Sequence, residues 1–221
     1  MKLNNKKVSV SVLISVFNRK DKILRAINSV LNQSFKSYEI IIIDDDSTDG
    51  VENILFPILK KYNFIKYLRH NNRNTAFSLN SGIQIAEGKY ITFLDSDDEY
   101  EKEHLELRIK YILKNPDIDL IHTTCKLIGK EKDLYVPDAR NPLKLIHLKK
   151  CIIGATFFGT KKVFGFKGFK NCYGYDYEFY LRVIKKFNVK KLDLPTYIYH
   201  RDSKDSVLTK MKEKISDENN E

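Results

Sequence analysis

The stretch Tyr90-Ile-Thr-Phe-Leu-Asp-Ser-Asp-Asp98 joins a short apolar segment to three carboxylates. Its first five residues are mostly β-branched or aromatic, which predicts a buried strand. Because side chains alternate along an extended backbone, Asp95 and Asp97 are expected to project from the same side. Two carboxylates at a strand end suit a hard divalent cation that binds a diphosphate. The simpler alternative is an acidic turn or a helix N-cap, since aspartate favours both.

Two earlier segments also place polar residues directly after an apolar strand. Residues 8–17 and 38–43 are rich in strand-forming side chains, and four aspartates follow the second segment within six positions. Helical patterns separate the strands, which predicts βαβ units and a parallel sheet. Ligands of such sheets bind beyond the carboxyl ends of the strands. Polar groups at residues 15–17, 44–46 and 95–97 are therefore expected to meet at one edge.

Three helices are predicted in the N-terminal half from apolar residues that recur every three or four positions. The first follows Asp21, which is a candidate N-cap. The second covers residues 51–62, and a short strand follows at residues 65–68. The third has an apolar face that ends before Gly88, the candidate C-cap.

After residue 98 the pattern changes to two helices and several short strands. Residues 101–113 predict an amphipathic helix that ends before a proline, and residues 175–187 predict another. Residues 161–170 are predicted to form a loop. The strand candidates are residues 118–122, 126–128, 134–136, 151–159 and 192–199, the last as a strand or a hairpin.

The composition is that of an ordinary globular protein with a basic surface. The chain has 221 residues, 42% hydrophobic and 31% charged, and a net charge of +10 concentrated in the C-terminal third. Nucleic acid, an anionic membrane face and a phosphorylated substrate would each suit that charge, and a merely solvated surface is the alternative. No nucleic-acid-binding signature accompanies the charge, so no specific nucleic-acid partner is expected.

The cysteines and the apolar runs indicate a cellular compartment. Cys125, Cys151 and Cys172 are widely spaced and odd in number, which disfavours a disulfide framework and a zinc site. No signal-peptide pattern is recognised, and no apolar run reaches the roughly 20 residues of a membrane-spanning helix. We expect a cytoplasmic protein that can contact the inner membrane face peripherally.

Several enzyme classes are disfavoured by the absence of their motifs. The sequence contains no G-x-G-x-x-G, G-x-x-x-x-G-K-[ST] or G-x-S-x-G. Dinucleotide binding, a P-loop and a nucleophile elbow are therefore not indicated. A D-x-D phosphohydrolase or nucleotidyltransferase is an alternative, but a phosphohydrolase would carry its acidic pair after the first strand, where Phe17 and Asn18 stand.

Four segments of the N-terminal half resemble the inverting family-two glycosyltransferases of the type-A fold. From the first to the last, they span nearly all of residues 8–100, in the order and spacing of that family. The C-terminal half resembles it only at residues 176–182 and around 199–200. The four segments are SVLISVFNR (11–19), SVLNQS (29–34), EIIIIDDDSTDG (39–50) and GKYITFLDSDD (88–98).

The resemblance implies an α/β fold, namely a single-domain Rossmann-like α/β/α sandwich with a mostly parallel central sheet. The single domain would span residues 1–221, with a nucleotide-sugar-binding half at about 8–100. A smaller acceptor-binding part would occupy about 101–209, and a polar tail about 210–221. The implied reaction moves a sugar from a nucleotide-diphosphate donor to a hydroxyl of a glycan or lipid-linked acceptor, as in polysaccharide biosynthesis.

The resemblance also assigns residues to the nucleobase of the donor. Ser15 and Phe17 would flank the base, and Asp45 would accept a hydrogen bond from it. The N–H of uracil suits that acceptor, so a UDP-sugar is the expected donor.

Three further residues are assigned by the resemblance to the metal and diphosphate. Asp95 would lie near the ribose and the metal, and Asp97 would bind Mn²⁺ or Mg²⁺ directly. The cation would offset charge on the departing UDP. His200 aligns with a histidine that contacts metal or diphosphate in some relatives, and a satisfied histidine in a terminal strand is the alternative.

An inverting transfer needs a base that takes the proton of the acceptor hydroxyl. Asp176 matches the base position of the family, whereas an acid favoured at a helix N-terminus is the alternative. Glu178 is the second choice for the base. Arg182 is expected to be a structural partner of a nearby carboxylate.

The chain departs from the family pattern at four positions that bear on donor preference. Tyr175 stands where glutamate usually precedes the base, and Leu79 replaces an arginine. Asp46 and Asn74 each replace a glycine. A catalytically degenerate member is thus an alternative, as is a basic module that binds nucleic acid or lipid. The four aspartates assigned to the base, the nucleobase and the metal are intact, which favours an active enzyme.

Overall fold

A seven-stranded sheet forms the centre of the protein. The structure is a computed structural model that describes residues 8–71, 74–202, 208, 209 and 211. Apart from residue 211, the polar tail predicted for residues 210–221 lies outside the described residues. The strands and helices are β1 (Val10–Val16), α1 (Ile23–Leu31), β2 (Tyr38–Asp44), α2 (Glu52–Lys61), β3 (Ile65–Arg69), α3 (Thr75–Ile85), β4 (Tyr90–Phe93), β5 (Glu99–Tyr100), α4 (His104–Lys114), β6 (Leu120–Thr123), β7 (Lys126–Ile128), β8 (Tyr135–Asp138), β9 (Asn141–His147), β10 (Phe158–Thr160), α5 (Lys161–Phe164), α6 (Tyr175–Val183), β11 (Val189–Leu192) and β12 (Tyr197–His200).

The central sheet is mostly parallel. Its strand order is β11-β6-β10-β4-β1-β2-β3, and only β10 runs antiparallel to its neighbours. The order reverses direction at β1, with β2 and β3 on one side and β4 on the other. Such a reversal leaves a crevice beyond the carboxyl ends of the strands, where ligands of open α/β sheets bind.

Helices cover both faces of this sheet. On one face, α1, α2 and α4 bury their apolar side chains against Val12, Ile14 and Ile40. On the other face, α3, α5 and α6 pack against Leu13 and Ile41. Because β1 and β2 are buried on both faces, they are apolar without alternation, as central parallel strands are. The predicted α/β/α sandwich is confirmed.

Two small sheets lie beside the central one. In the first, β12 pairs with β5 and β7. The second is a hairpin of β8 and β9. The sequence analysis did not predict β9, whose strand contains Pro142 and is largely exposed. Among the helices of the described part of the chain, none is long and apolar enough to cross a membrane.

Three of the sequence predictions for the C-terminal half need correction. Residues 151–159 do not form one strand, because a 3-10 turn at Gly154–Thr156 precedes β10. Residues 161–170 are not entirely loop, since α5 buries Val163 and Phe164. The segment 192–199 contributes to two strands in different sheets, β11 and β12. Elements of three or four residues are too short for periodicity to reveal them.

Both predicted helix caps are wrong. Helix α1 has Lys22 at its N-cap position with no side-chain hydrogen bond, so Asp21 does not cap it. Instead, the carbonyl of Arg19 accepts hydrogen bonds from the N–H groups of Lys22 and Ile23. Helix α3 ends at Ala86 in an extended conformation, so Gly88 is not its C-cap.

Gly88 is required for a different reason, namely the close approach of two backbones. Its N–H donates to Ser11 Oγ at 2.9 Å and lies 3.3 Å from Glu39 Oε1. A Cβ atom at Gly88 would lie 2.5 Å from the backbone nitrogen of Ser11, which cannot yield as a side chain could. We therefore expect Gly88→Ala to lower the free energy of unfolding by about 3 kcal/mol, the upper end of the usual cost of overpacking.

Urea denaturation followed by circular dichroism would measure this loss. Gly165→Ala is the matched control, because Gly165 has φ −69° and its Cβ would come no closer than 3.3 Å to Lys161 O. A Gly88→Ala protein as stable as the Gly165→Ala protein would contradict the close approach.

Candidate active site

A cavity of about 750 Å³ opens beyond the carboxyl ends of β1, β2 and β4. It reaches from these strand ends to the start of α6, to β12 and to the β8–β9 hairpin. Strand ends far apart in the sequence meet here because the strands run parallel in one sheet. The lining includes the seven residues that the sequence analysis assigned to the donor, to the metal and as first choice for the base, which are Ser15, Phe17, Asp45, Asp95, Asp97, Asp176 and His200.

Two of the lining residues, Phe17 and Asp45, directly follow strands β1 and β2. Phe17 is 44% exposed, so its ring is open to the cavity. Asp45 is buried, with Oδ2 accepting from the Asn74 N–H at 2.9 Å and Oδ1 lying 3.2 Å from His70 Nδ1. These contacts fix the orientation of the Asp45 carboxylate.

The sequence analysis missed His70 as a partner of Asp45. The residue directly follows β3, so it stands at a strand end like the acidic groups. Its Nδ1 also lies 2.8 Å from the Asn71 carbonyl, which can only accept, so Nδ1 carries a proton that both oxygens can share. The position of His70 directly after a strand was a sequence signal that it belongs to the site. It was missed because β3 is the edge strand and because Asp45, the acidic partner of His70, follows a different strand.

Two departures from the family pattern stand at backbone positions with a positive φ, which glycine adopts most easily. Asp46 has φ 67°, and aspartate is among the residues other than glycine that best tolerate a positive φ. Asn74 combines φ 80° with ψ 165°, a conformation almost confined to glycine, so its backbone is strained.

The acidic segment after β4 is a turn rather than an extension of the strand. The Asp98 N–H donates to the Asp95 carbonyl at 3.0 Å, which closes a four-residue turn. The expectation that Asp95 and Asp97 share one side of an extended chain is therefore wrong. Both side chains nevertheless line the cavity, because the turn lies at its wall.

Negative charge is concentrated at this turn. Burial, together with the neighbouring carboxylates of Asp97 and Asp176, raises the pKa of Asp95 to about 7. Arg19 Nε lies 3.8 Å from Asp97 Oδ2, and Arg25 donates to the Asp97 carbonyl. The turn thus combines oxygen donors with more negative charge than its environment easily accommodates.

A hard divalent cation fits this donor set, because carboxylate oxygens are its preferred ligands. Asp95 and Asp97 would hold it, and it would relieve the repulsion that raises the pKa of Asp95. In the described residues, however, no three His, Cys, Asp or Glu side chains are gathered as a metal site. His200 lines the cavity, but its Nε2 lies 2.9 Å from Glu99 Oε1 and is therefore engaged by another side chain. Its role as a metal ligand stays a prediction.

Asp176 lies in the first turn of α6 and lines the cavity. Its Oδ2 accepts from the Gly154 N–H at 3.0 Å, and its Oδ1 from the Tyr177 N–H at 2.8 Å. Burial raises the pKa of Asp176, although these backbone hydrogen bonds act in the opposite direction. A carboxylate with a raised pKa at a cavity wall is a suitable general base.

Glu178, the second choice for the base, is engaged elsewhere. Arg182 Nε donates to both of its oxygens at 2.8 and 3.0 Å, and Lys170 Nζ lies 2.8 Å away. Burial would raise the pKa of Glu178, but these two cations lower it overall. A low pKa makes Glu178 a poor base, and Arg182 is the structural partner that the sequence analysis expected.

The fold and the site together define a class of protein. A mostly parallel sheet, an acidic turn after β4 and a cavity across the strand ends are the features of a type-A nucleotide-sugar transferase. The Staphylococcus aureus protein TarS, residues 1–349, in complex with UDP has this fold, with a TM-score of 0.70 at 20% identity. The match covers 87% of this chain and 60% of TarS 1–349.

The chain belongs to glycosyl transferase family 2, whose sequence model matches residues 11–172. An uncharacterized glycosyltransferase of Rickettsia conorii is 43% identical over 141 residues, which are 64% of this chain and 22% of that protein. The poly(ribitol-phosphate) beta-N-acetylglucosaminyltransferase TarP of Staphylococcus aureus is 41% identical over 130 residues, 57% of this chain and 39% of TarP. The chain thus spans less than half the length of these two relatives.

Proposed function

We propose that this glycosyltransferase is an inverting enzyme that transfers a sugar from a UDP-sugar to a hydroxyl group of a glycan or lipid-linked acceptor. One observation carries the proposal: the seven residues predicted from the sequence surround a single cavity of about 750 Å³. That volume is in the usual range for small-molecule sites. A donor in this cavity would place its base at Ser15, Phe17 and Asp45, the proposed nucleobase end, and would extend past the acidic turn toward Asp176.

The nucleobase end supports a uracil nucleotide. Ser15 and Phe17 would flank the base, with the exposed ring of Phe17 offering a stacking surface. Asp45 would accept the hydrogen bond of the uracil N3–H, since its carboxylate is already oriented by His70 and Asn74. The likeness to the UDP complex of TarS supports the same choice.

The acidic turn supports assistance by Mn²⁺ or Mg²⁺. Asp97 and Asp95 would hold the cation between the protein and the diphosphate, and His200 would approach it from β12. Bound there, a divalent cation supplies Lewis-acid stabilisation of the departing diphosphate. Arg19 adds a fixed positive charge beside Asp97.

Asp176 would act as the general base. Its carboxylate would take the proton of the acceptor hydroxyl as the oxygen attacks the anomeric carbon, and the bond from that carbon to the diphosphate would break. Attack on the face opposite the leaving group inverts the anomeric centre. The Gly154 and Tyr177 N–H groups hold the carboxylate in one orientation, which favours a defined line of attack.

The acceptor would enter beside the β8–β9 hairpin, which lines the cavity. The action of TarP on poly(ribitol-phosphate) supports a surface glycan as the acceptor class. A lipid-linked acceptor would require contact with the cytoplasmic membrane face. Leu143 and Leu145, 70% and 46% exposed on this hairpin, and Lys144 between them support such a peripheral contact.

A thermal-shift panel of UDP, GDP, CDP and ADP with Mn²⁺ would test the donor. At a concentration about 100 times its Kd, a ligand stabilises a protein by about 2.7 kcal/mol. For a chain of this size we expect UDP to raise Tm by about 5 °C or more and the other nucleotides to raise it less. Greater stabilisation by another nucleotide would contradict the role given to Asp45.

A further inference from the structure

Strand β12 holds the acidic turn at three points, although it is about 100 residues away in the sequence. The Tyr197 hydroxyl donates to Asp98 Oδ2 at 2.6 Å and lies 3.3 Å from the Asp95 N–H, which donates to it. The His200 N–H donates to Asp98 Oδ1 at 2.7 Å. The Tyr197 hydroxyl group therefore joins Asp95 and Asp98, the first and the last residue of the turn. The Asp98 carboxylate in turn joins the turn to His200, the residue predicted as a third metal ligand.

Asp98 is a costly way to hold a turn in place. Its side chain is fully buried, and in the described part of the chain no Lys, Arg or His side chain forms an ion pair with it. Removing a carboxylate from water without a cation is expensive, so an apolar side chain at this position would favour stability more. A carboxylate here is explained better by what it orients than by what it contributes to folding.

Other side chains also hold the turn and the strand before it. Arg25 donates to the Asp97 carbonyl, and the Tyr100 hydroxyl donates to the Phe93 carbonyl at the end of β4. The Tyr197 ring is fully buried and contacts the rings of Tyr100 and Tyr199. Of these contacts, only the bonds of the Tyr197 hydroxyl bind both ends of the turn.

We propose that Tyr197, acting with Asp98, is a positioning residue that orients Asp95 and Asp97 toward the divalent cation of the donor. This inference rests on the proposed function, since it concerns the same metal. Partners that orient metal ligands typically change metal affinity 10- to 100-fold when they are removed. Tyr197 thereby makes the C-terminal strand part of the donor site, although the match to the family stops at residue 172.

Replacement of Tyr197 by phenylalanine tests this role, because it removes only the hydroxyl group and keeps the ring packing. The affinity for Mn²⁺ in the presence of UDP, measured from the electron paramagnetic resonance signal of free Mn²⁺, is expected to fall about 10-fold or more. The affinity for UDP without metal is expected to stay within about twofold, because the residues at the nucleobase end are unchanged.

Tyr67→Phe is the matched control. The Tyr67 hydroxyl also donates at 2.6 Å to a buried carboxylate, that of Asp44, but this pair joins β2 and β3 rather than the acidic turn. The control should retain wild-type Mn²⁺ affinity while losing a comparable hydrogen bond. An equal loss of affinity in both variants would overturn the proposal, because it would indicate a general loosening of the fold.

The remaining outcomes are also decisive. Unchanged Mn²⁺ affinity in Tyr197→Phe, with normal binding by the wild type, would overturn the proposal and leave the proposed function intact. Absence of Mn²⁺ binding by the wild type with UDP would contradict the proposed function itself. If circular dichroism shows that Tyr197→Phe is unfolded, Asp98→Asn takes its place. Asparagine keeps one acceptor oxygen for two donors, and the same loss of affinity of about 10-fold is expected.

Discussion

Replacing Asp176 with asparagine is expected to lower the turnover number by about 10²- to 10⁴-fold, the usual contribution of a general base. Asparagine has nearly the same shape and can still accept from the Gly154 N–H, so the start of α6 should keep its structure. It cannot take a proton from the acceptor hydroxyl. The affinity for UDP with Mn²⁺ should stay within about twofold, because Asp176 is not among the residues proposed to contact the nucleobase or to bind the metal.

Single-turnover kinetics with a UDP-sugar, together with titration calorimetry of UDP, would separate these two effects. Glu178→Gln is the matched control on the same helix, since Glu178 is bound by Arg182 and Lys170 and has a lowered pKa. Its turnover is expected to stay close to that of the wild type. Normal turnover in Asp176→Asn would show that another group is the base.

The pH dependence of turnover provides a second measurement on Asp176. A base must be ionised, so activity is present above the pKa of Asp176 in the enzyme and falls as the pH drops through it. Burial raises this pKa above the ordinary aspartate value, so the acidic limb of the profile should lie above that value too. With Mn²⁺ saturating, so that protonation of Asp95 does not limit the rate, residual activity of Asp176→Asn should lack this limb, whereas Glu178→Gln should retain it.

The central sheet was predictable because its strands are buried on both faces. Strands β1 and β2 have no alternation of polar and apolar residues, and helical segments separate them, so the sequence signals a parallel sheet directly. Topology then brings the carboxyl ends of such strands to one edge. That rule alone accounts for the meeting of Ser15, Asp45 and Asp95 in one cavity.

The remaining parts of the site depend on contacts that local patterns cannot reveal. The segment around Gly154 is apolar enough to suggest a strand. It forms a 3-10 turn instead, and the Gly154 N–H donates to Asp176, which lies 22 positions later. His70 and Tyr197 act through carboxylates on other elements, so nothing near them in the sequence announces their partners. Side-chain contacts between distant segments follow from the finished fold.

Asp97→Asn is expected to abolish the contribution of the metal to donor binding. With saturating Mn²⁺, the affinity for UDP should fall about 100-fold or more, beyond the range for a partner that merely orients a ligand, and reach the value measured without metal. Asparagine keeps the size of the side chain but loses the charge that a divalent cation prefers. The Asp97 carbonyl and its bond from Arg25 are unaffected, so the turn should keep its backbone.

Titration calorimetry of UDP with and without Mn²⁺ would measure this difference, and Asp46→Asn is the matched control. Asp46 is also an aspartate after a central strand, but it is half-exposed, pairs with Arg69, and has a positive φ that asparagine tolerates. The control should keep the full effect of Mn²⁺ on UDP affinity. If Mn²⁺ strengthens UDP binding equally in Asp97→Asn and the wild type, Asp97 is not a ligand. In that case Mn²⁺ would have to bind the donor through residues other than Asp97.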